Sequence, residues 1–401
     1  MDHSPTMPSR PVVSDVDAGL ARVKQTLDDF VAESYLPGYV AAVQHGGLTR
    51  TILGGKADLA NGAPMRRDTQ FRMASLAKPW AAVLTLRLAE QGRLTLDSPI
   101  TDWMPEFADA RVLTDPAAQV PDGATPDTVA AQPITVWHLL TQTSGYGLIV
   151  DGEPRQAKQW VADELERRRL VPWDFDPRHS PDDVAAGFAA LPLCFQPGEG
   201  WLYHSSSDLL SVLLHRAAGP VAGQVATVCE QLGLLSTGFI ADPKRLATAY
   251  RAGDEGLVVA DGAVGRFTHA RAFDSLAGDL VSTAEDYLTF FTALAHKDPE
   301  LLSAESYDQL LRDQLTPPVR ATAGGFLQPG CSYGFQVQVQ IDDHGPGAIG
   351  RFGWSGGTGT TVFADPANDL VAVLLTQREL GGPQDEAVFN ALDEGLYAQC
   401  P

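Results

Sequence analysis

The 401-residue chain is short of cysteine, of positive charge and of long apolar runs, and each shortage removes a class of function. Its four cysteines, Cys194, Cys229, Cys331 and Cys400, show no C-x-x-C spacing and do not gather with histidine, so neither a metal site nor a disulfide framework is expected. Lys and Arg number 29 against 50 Asp and Glu, a formal net charge of -21, which argues against nucleic acid and anionic membrane surfaces as partners. No run is long enough to span a bilayer, and 1–10 lacks a basic stretch followed by an apolar one, so a cytoplasmic protein is expected. No internal repeat is visible, and no motif calls for a cofactor. A Ser-His-Asp arrangement is not expected either: His138, in the apolar stretch 136–140, reads as a satisfied core residue, leaving His204 as the histidine to watch. What the chain does have is 44% hydrophobic and 20% charged residues, enough to bury a large core and to build two or three domain-sized units.

The most informative segment is Ser75-Leu76-Ala77-Lys78, near the start of an apolar helical run over 71–94. Residues three apart on a helix share a face, so the Lys78 amine can stand beside the Ser75 hydroxyl and serve as its base. Trp80, Ala81, Ala82, Val83 and Leu84 surround the lysine with apolar side chains, and such burial lowers an ammonium pKa toward the neutral, basic form. Pro79 belongs near a helix start and so places Ser75 at the N-terminal end. Two more segments follow in order. A Pro-Gly turn leads into Trp201-Leu202-Tyr203-His204-Ser205 and a helical run over 207–218; later, Gly353-Trp354-Ser355-Gly356-Gly357 precedes a strand over 360–364.

With Ser-x-x-Lys, Tyr-x-Ser and Trp-Ser-Gly in this order, the chain resembles the serine β-lactamase and penicillin-binding-protein superfamily over about 16–396, and most closely the branch of class C β-lactamases and family VIII carboxylesterases. The stretches 134–145 and 276–286 agree with it. The resemblance implies an α+β fold of the β-lactamase/transpeptidase type: an antiparallel sheet flanked by terminal helices, with an inserted helical domain and the site between them. It implies Ser75 as the acyl-forming nucleophile, Lys78 as its proton acceptor, and Tyr203 as a second base whose phenol pKa Lys78 lowers. Ser205 falls where class C enzymes carry Asn and is expected to hydrogen-bond Lys78, a helix N-cap being its other reading. The backbone N–H groups of Ser75 and Gly357 would form the oxyanion hole. Trp354, Ser355 and Gly356 would line the substrate site, matching the family's Lys-Thr-Gly strand. Trp354 departs from the pattern, because an uncharged indole cannot bind the carboxylate of a penicillin or a D-Ala-D-Ala peptide. The expected substrate is therefore a small-molecule ester or acyl donor, cleaved through an acyl-enzyme on Ser75. An acyltransferase with an amine or alcohol acceptor, a β-lactamase or D-Ala peptidase, and a non-catalytic binding protein remain the alternatives.

Apolar spacing at Val16, Leu20, Val23, Leu27, Phe30 and Val31 predicts a first helix after a Ser14-Asp15 cap. Strands are expected over 39–44 and 49–53 around a Gly46-Gly47 turn, and again over 333–341, 360–364 and 370–376, with a closing helix over 386–397. The implied organisation is a mobile tail over 1–14, a discontinuous sheet domain of 15–70 plus 255–401, and a mainly helical domain of 71–254. Two long loops, 108–132 and 149–186, are candidates for specificity; Trp160, Trp173 or Phe175 of the second could face an acyl group. Arg167-Arg168-Arg169 reads as a solvated helix face. The oligomeric state is left open.

Overall fold

The protein is described by a computed structural model over residues 15–382 and 385–397, so the tail expected over 1–14 lies outside the described residues, as does Cys400. The strands are β1 (Gly38–His45), β2 (Leu48–Gly55), β3 (Phe71–Arg72), β4 (Arg111–Leu113), β5 (Thr128–Ala130), β6 (Ala249–Gly253), β7 (Gly256–Asp261), β8 (Val281–Ser282), β9 (Cys331–Tyr333), β10 (Gln338–Gln340), β11 (Phe352–Gly356), β12 (Thr360–Asp365) and β13 (Leu370–Thr376). The helices are α1 (Val16–Ala32), α2 (Lys78–Glu90), α3 (Val136–Leu140), α4 (Ala157–Arg167), α5 (Pro181–Ala189), α6 (Ser205–Ala218), α7 (Val221–Leu232), α8 (Ala284–Ala295), α9 (Ala304–Leu310), α10 (Pro317–Ala321) and α11 (Ala387–Tyr397).

One seven-stranded antiparallel sheet, ordered β2-β1-β13-β12-β11-β10-β9, forms the spine. Both faces of β1 and β13 are buried, which is why these strands read as near-continuous apolar runs rather than alternating ones. Tyr39, Ala41, Val43, Ala372 and Leu374 point to one face, where α1 and α11 cover them with Val16, Leu20, Val23, Leu27, Val388 and Leu392. Val40, Ala42, Val362, Val373 and Leu375 point to the other, against the large core shared with the helical region, where α8 lies across β1, β12 and β13. The predicted first helix is α1, capped by the Asp15 carboxylate accepting from the Ala18 N–H at 2.9 Å.

Two expectations need correction. The strand expected over 333–341 is two short strands, β9 and β10, because Gln336 takes a left-handed φ of 60° and the Gly334 N–H turns back to the Val337 carbonyl at 2.8 Å. The helical run expected over 71–94 is also divided, into β3, a 3-10 turn over Ala74–Ala77 and α2. In α2 every residue from Lys78 to Leu86 is buried, the pattern of a helix enclosed on all sides, and Trp80 stacks on Phe290 of α8 at 4.1 Å between centroids. As a division of the chain we propose 15–70 with 255–401 as the sheet unit and 71–254 as the helical unit; the shared core runs through both.

Candidate active site

Ser75 sits on the 3-10 turn that leads into α2. Residues i and i+3 eclipse in such a turn, and Lys78 Nζ stands 3.1 Å from Ser75 Oγ. The turn opens on Ala74 in the left-handed region at φ 46°. It is held from outside: the Met73 N–H donates to the Leu280 carbonyl at 2.9 Å, and the Tyr287 hydroxyl donates to the Leu76 carbonyl. Ser75 lines a cavity of about 850 Å³, while Lys78 is fully buried.

Around Lys78 Nζ lie the Ala277 carbonyl at 2.7 Å, His204 Nδ1 at 3.3 Å and the face of the Tyr203 ring, its centroid 4.6 Å away. Burial pulls the Lys78 pKa well below the ordinary lysine value, and the Asp208 carboxylate opposes that shift without cancelling it. The Tyr203 phenol behaves differently from expectation. Burial raises its pKa, and the hydrogen bonds from Ser75 and Trp354 only moderate the rise. Lys78 is not among the groups that lower it. The Tyr203 hydroxyl oxygen instead accepts a hydrogen bond from Trp354 Nε1 at 2.8 Å.

Ser205 does not take either expected role. The hydrogen-bond partners of Lys78 Nζ are Ser75, Ala277 and His204, and the N-cap of α6 is His204. The cause is local. His204 has φ 88° and ψ -65°, and the Ser205 N–H reaches the Tyr203 carbonyl at 3.3 Å, so the three residues form a γ-turn of the strained, positive-φ hand. That turn brings the consecutive side chains of Tyr203 and His204 to the same lysine. Four residues on, Asp208 is buried in the first turn of α6; its Oδ1 accepts from Ser275 Oγ at 2.7 Å, and its Oδ2 lies 3.5 Å from His204 Nε2. His138, in contrast, is a cap rather than a core residue: its Nδ1 accepts from the Thr135 N–H at 3.0 Å at the start of α3.

Trp354, Ser355 and Gly356 belong to β11, and Gly357 follows directly; all four line the cavity with Ser75. The Trp354 indole packs between Tyr203 and Tyr333, at 5.4 and 5.3 Å between centroids, so it is both a core aromatic and a donor to the tyrosine. Ser355 Oγ pairs with Thr361 Oγ1 at 2.9 Å across β11 and β12. The turn is stitched to the backbone preceding the nucleophile: Thr358 Oγ1 donates to the Arg72 carbonyl at 2.6 Å and Thr360 Oγ1 to the Met73 carbonyl at 3.1 Å. Gly356 is required by that approach, since a Cβ there would lie 2.6 Å from the Met73 carbonyl oxygen and 2.4 Å from Thr360 Oγ1. At Gly357, which lines the cavity, a Cβ would meet nothing within 4 Å. Gly353-Trp354-Ser355-Gly356-Gly357 also spells Gly-x-Ser-x-Gly. It is no nucleophile elbow, because Ser355 lies within an antiparallel strand instead of a strand-to-helix turn.

The mouth of the cavity is apolar, with Leu148, Val150, Trp173, Phe175 and Phe326 along it. Trp173 and Phe175 of the loop 149–186 thus reach the site; Trp160 packs against the core, and the loop 108–132 contributes no lining residue. The arginine run pairs with acids on its own surface, Arg167 and Arg168 with Glu164 and Arg169 with Asp174 and Asp176. Of the arginines that line the cavity, Arg72 pairs with Asp261, Arg266 with Asp279 and Arg351 with Asp393, while the exposed Arg251 forms no ion pair among the described residues.

A family model described as Beta-lactamase matches residues 23–396. Among curated proteins, esterase EstB of Burkholderia gladioli is 32% identical over 416 aligned residues, covering 97% of this chain and 98% of its own. The acyltransferase calJ of Penicillium decumbens is 25% identical over 87% of this chain and 85% of its own. Among solved structures, EstCE1, described as a hydrolase with promiscuous acyltransferase activity, superimposes with a TM-score of 0.79 at 23% identity, covering 95% of this chain and 99% of that one. Among the described residues, no helix is long and apolar enough to cross a membrane.

Proposed function

Because the chain belongs to the beta-lactamase family and is a serine enzyme of its esterase and acyltransferase kind, we propose that it cleaves a small-molecule ester through a covalent acyl-enzyme on Ser75. The observation that carries this reading is the buried Lys78 amine 3.1 Å from the Ser75 hydroxyl at a cavity wall, with its pKa lowered by burial. In the neutral form Lys78 takes the Ser75 proton as Oγ attacks the ester carbonyl carbon. The carbonyl oxygen gains the negative charge, and the N–H groups of Ser75 and Gly357 receive it. Collapse breaks the bond to the leaving alkoxide, which takes a proton from Tyr203, itself reprotonated from Lys78. Deacylation runs the same path backward, with water in place of the alcohol and Tyr203 drawing off its proton.

Trp354 supports an ester over a β-lactam, since its N–H is committed to Tyr203 and it carries no charge for a substrate carboxylate. The similarity to calJ keeps transfer to an alcohol or amine as the second reading. We place the enzyme in the cytoplasm as part of the same proposal.

Incubation with a short p-nitrophenyl ester followed by intact-mass spectrometry tests the reading. The expected result is one acyl group on Ser75, free acid as the main product, turnover far above that of benzylpenicillin, and loss of both adduct and turnover in Ser75→Ala. An adduct that persists in Ser75→Ala overturns the nucleophile. Acceptor-bound product in place of free acid, when an alcohol is added, would make the enzyme a transferase.

A further inference from the structure

Behind Lys78 stands a second pair of buried groups to which the ester mechanism gives no role. A neutral lysine amine has two N–H donors and one lone pair. The Ala277 carbonyl at 2.7 Å takes one N–H, and among the described residues His204 Nδ1 at 3.3 Å is the other acceptor bonded to the amine apart from Ser75 Oγ. If His204 Nδ1 takes the second N–H, the lone pair is left for the Ser75 proton. For Nδ1 to accept, the histidine proton must sit on Nε2, and Nε2 faces Asp208 Oδ2 at 3.5 Å. That carboxylate oxygen is buried and has no hydrogen-bond partner, while its companion Oδ1 is occupied by Ser275. The order Asp208, His204, Lys78, Ser75 is therefore a continuous polar path through otherwise apolar packing.

We infer that His204, oriented by Asp208, is a positioning residue that aims the Lys78 lone pair at the Ser75 hydroxyl. The inference rests on Lys78 being the base proposed above. Burial keeps the imidazole neutral across the working pH range, with the neighbouring Lys78 charge adding to the effect, so His204 acts as a fixed acceptor and does not compete for the proton. The groups facing the path from neighbouring elements are the Tyr203 ring over Lys78, Ser275 beside Asp208, and Asp279, whose charge Arg266 holds at 2.6 Å. None of these offers Lys78 a replacement acceptor.

The strained turn makes the test clean. A φ of 88° is one that glycine adopts without steric cost, which offsets part of the cost of removing a buried imidazole in His204→Gly, and its Tm checks that it remains folded at the assay temperature. Its rate of Ser75 labelling by a fluorophosphonate, followed by intact mass, should fall by roughly tenfold to a hundredfold, the scale expected when a reacting group loses its alignment. Imidazole should restore part of that rate, and His204→Asn, which keeps an acceptor near the Nδ1 position, should stay closer to the parent. In Asp208→Asn the acidic limb of labelling should move to lower pH, because the lost carboxylate favoured the ammonium form of Lys78. Labelling of His204→Gly at the parent rate, or no displacement of the limb in Asp208→Asn, overturns the inference. Failure of the parent itself to label at Ser75 overturns instead the ester reading on which it rests.

Discussion

Trp354 is the residue at which this chain departs most from the pattern it resembles, and its chemistry is that of a neutral donor. A lysine at that place would offer a charge to substrate, whereas the indole offers one N–H, and Tyr203 already holds it. Trp354→Phe keeps most of the ring packing and removes only the donor. The loss of one buried hydrogen bond should lower stability by about 0.5–1.5 kcal/mol, a small fall in Tm, and the same loss at the transition state should slow kcat/KM for a p-nitrophenyl ester by about twofold to tenfold. An unchanged rate would reduce the indole to packing. A second prediction at this scale follows from Lys78. Only its neutral form can accept the serine proton, and burial lowers its pKa, so kcat/KM should rise with pH and level off well below the ordinary lysine value of 10.5. Tyr203 is shifted upward, so no falling limb from phenol ionisation is expected across the neutral range. A pH-rate profile that still climbs at pH 10 would mean that the amine is solvated and charged.

Among the elements, the turn between β11 and β12 has the tightest tolerance, because it lies against the backbone that presents Ser75. Gly356→Ala drives a Cβ into the Met73 carbonyl, and overpacking of this kind costs about 1–3 kcal/mol. The same displacement should lower kcat by about a hundredfold for an ångström of misplacement. Gly357→Ala, with open space at the same turn, should leave Tm nearly unchanged, and equal Tm losses in the two variants would contradict the close-approach account. The sequence shows some elements well and others poorly, for physical reasons. α1 and β13 are legible because an amphipathic stripe and a β-branched run bounded by turns have few competing readings. The run 71–94 is not, because uniform apolarity carries no period, and the break depends on Ala74 taking a left-handed φ that alanine does not advertise. Ser75, Lys78 and Tyr203 are recognisable by motif. His204 draws attention by standing next to Tyr203, but its role is not legible, because neighbours in an extended chain point apart and only the γ-turn brings both side chains to one lysine.

At the scale of the whole molecule, the site depends on parts of the chain that are far apart in sequence. The nucleophile comes from the first quarter, the tyrosine and histidine from the middle, and the oxyanion turn from 356–358. The sheet has the same arrangement: Tyr39 pairs with Thr376, and α1 packs on α11, where Arg22 donates to the Gly395 carbonyl at 3.0 Å. Because a ribosome releases the amino end first, β1 and the apolar stripe of α1 emerge with β2 as their nearby strand and must wait for β13 and α11, which follow far along the chain. Long-range pairing of this kind is slow and leaves apolar surface exposed in the interval. Newly made chains are thus most vulnerable to aggregation in the interval between the emergence of β1 and that of β13, and the site cannot assemble until β11 and its turn have joined Ser75.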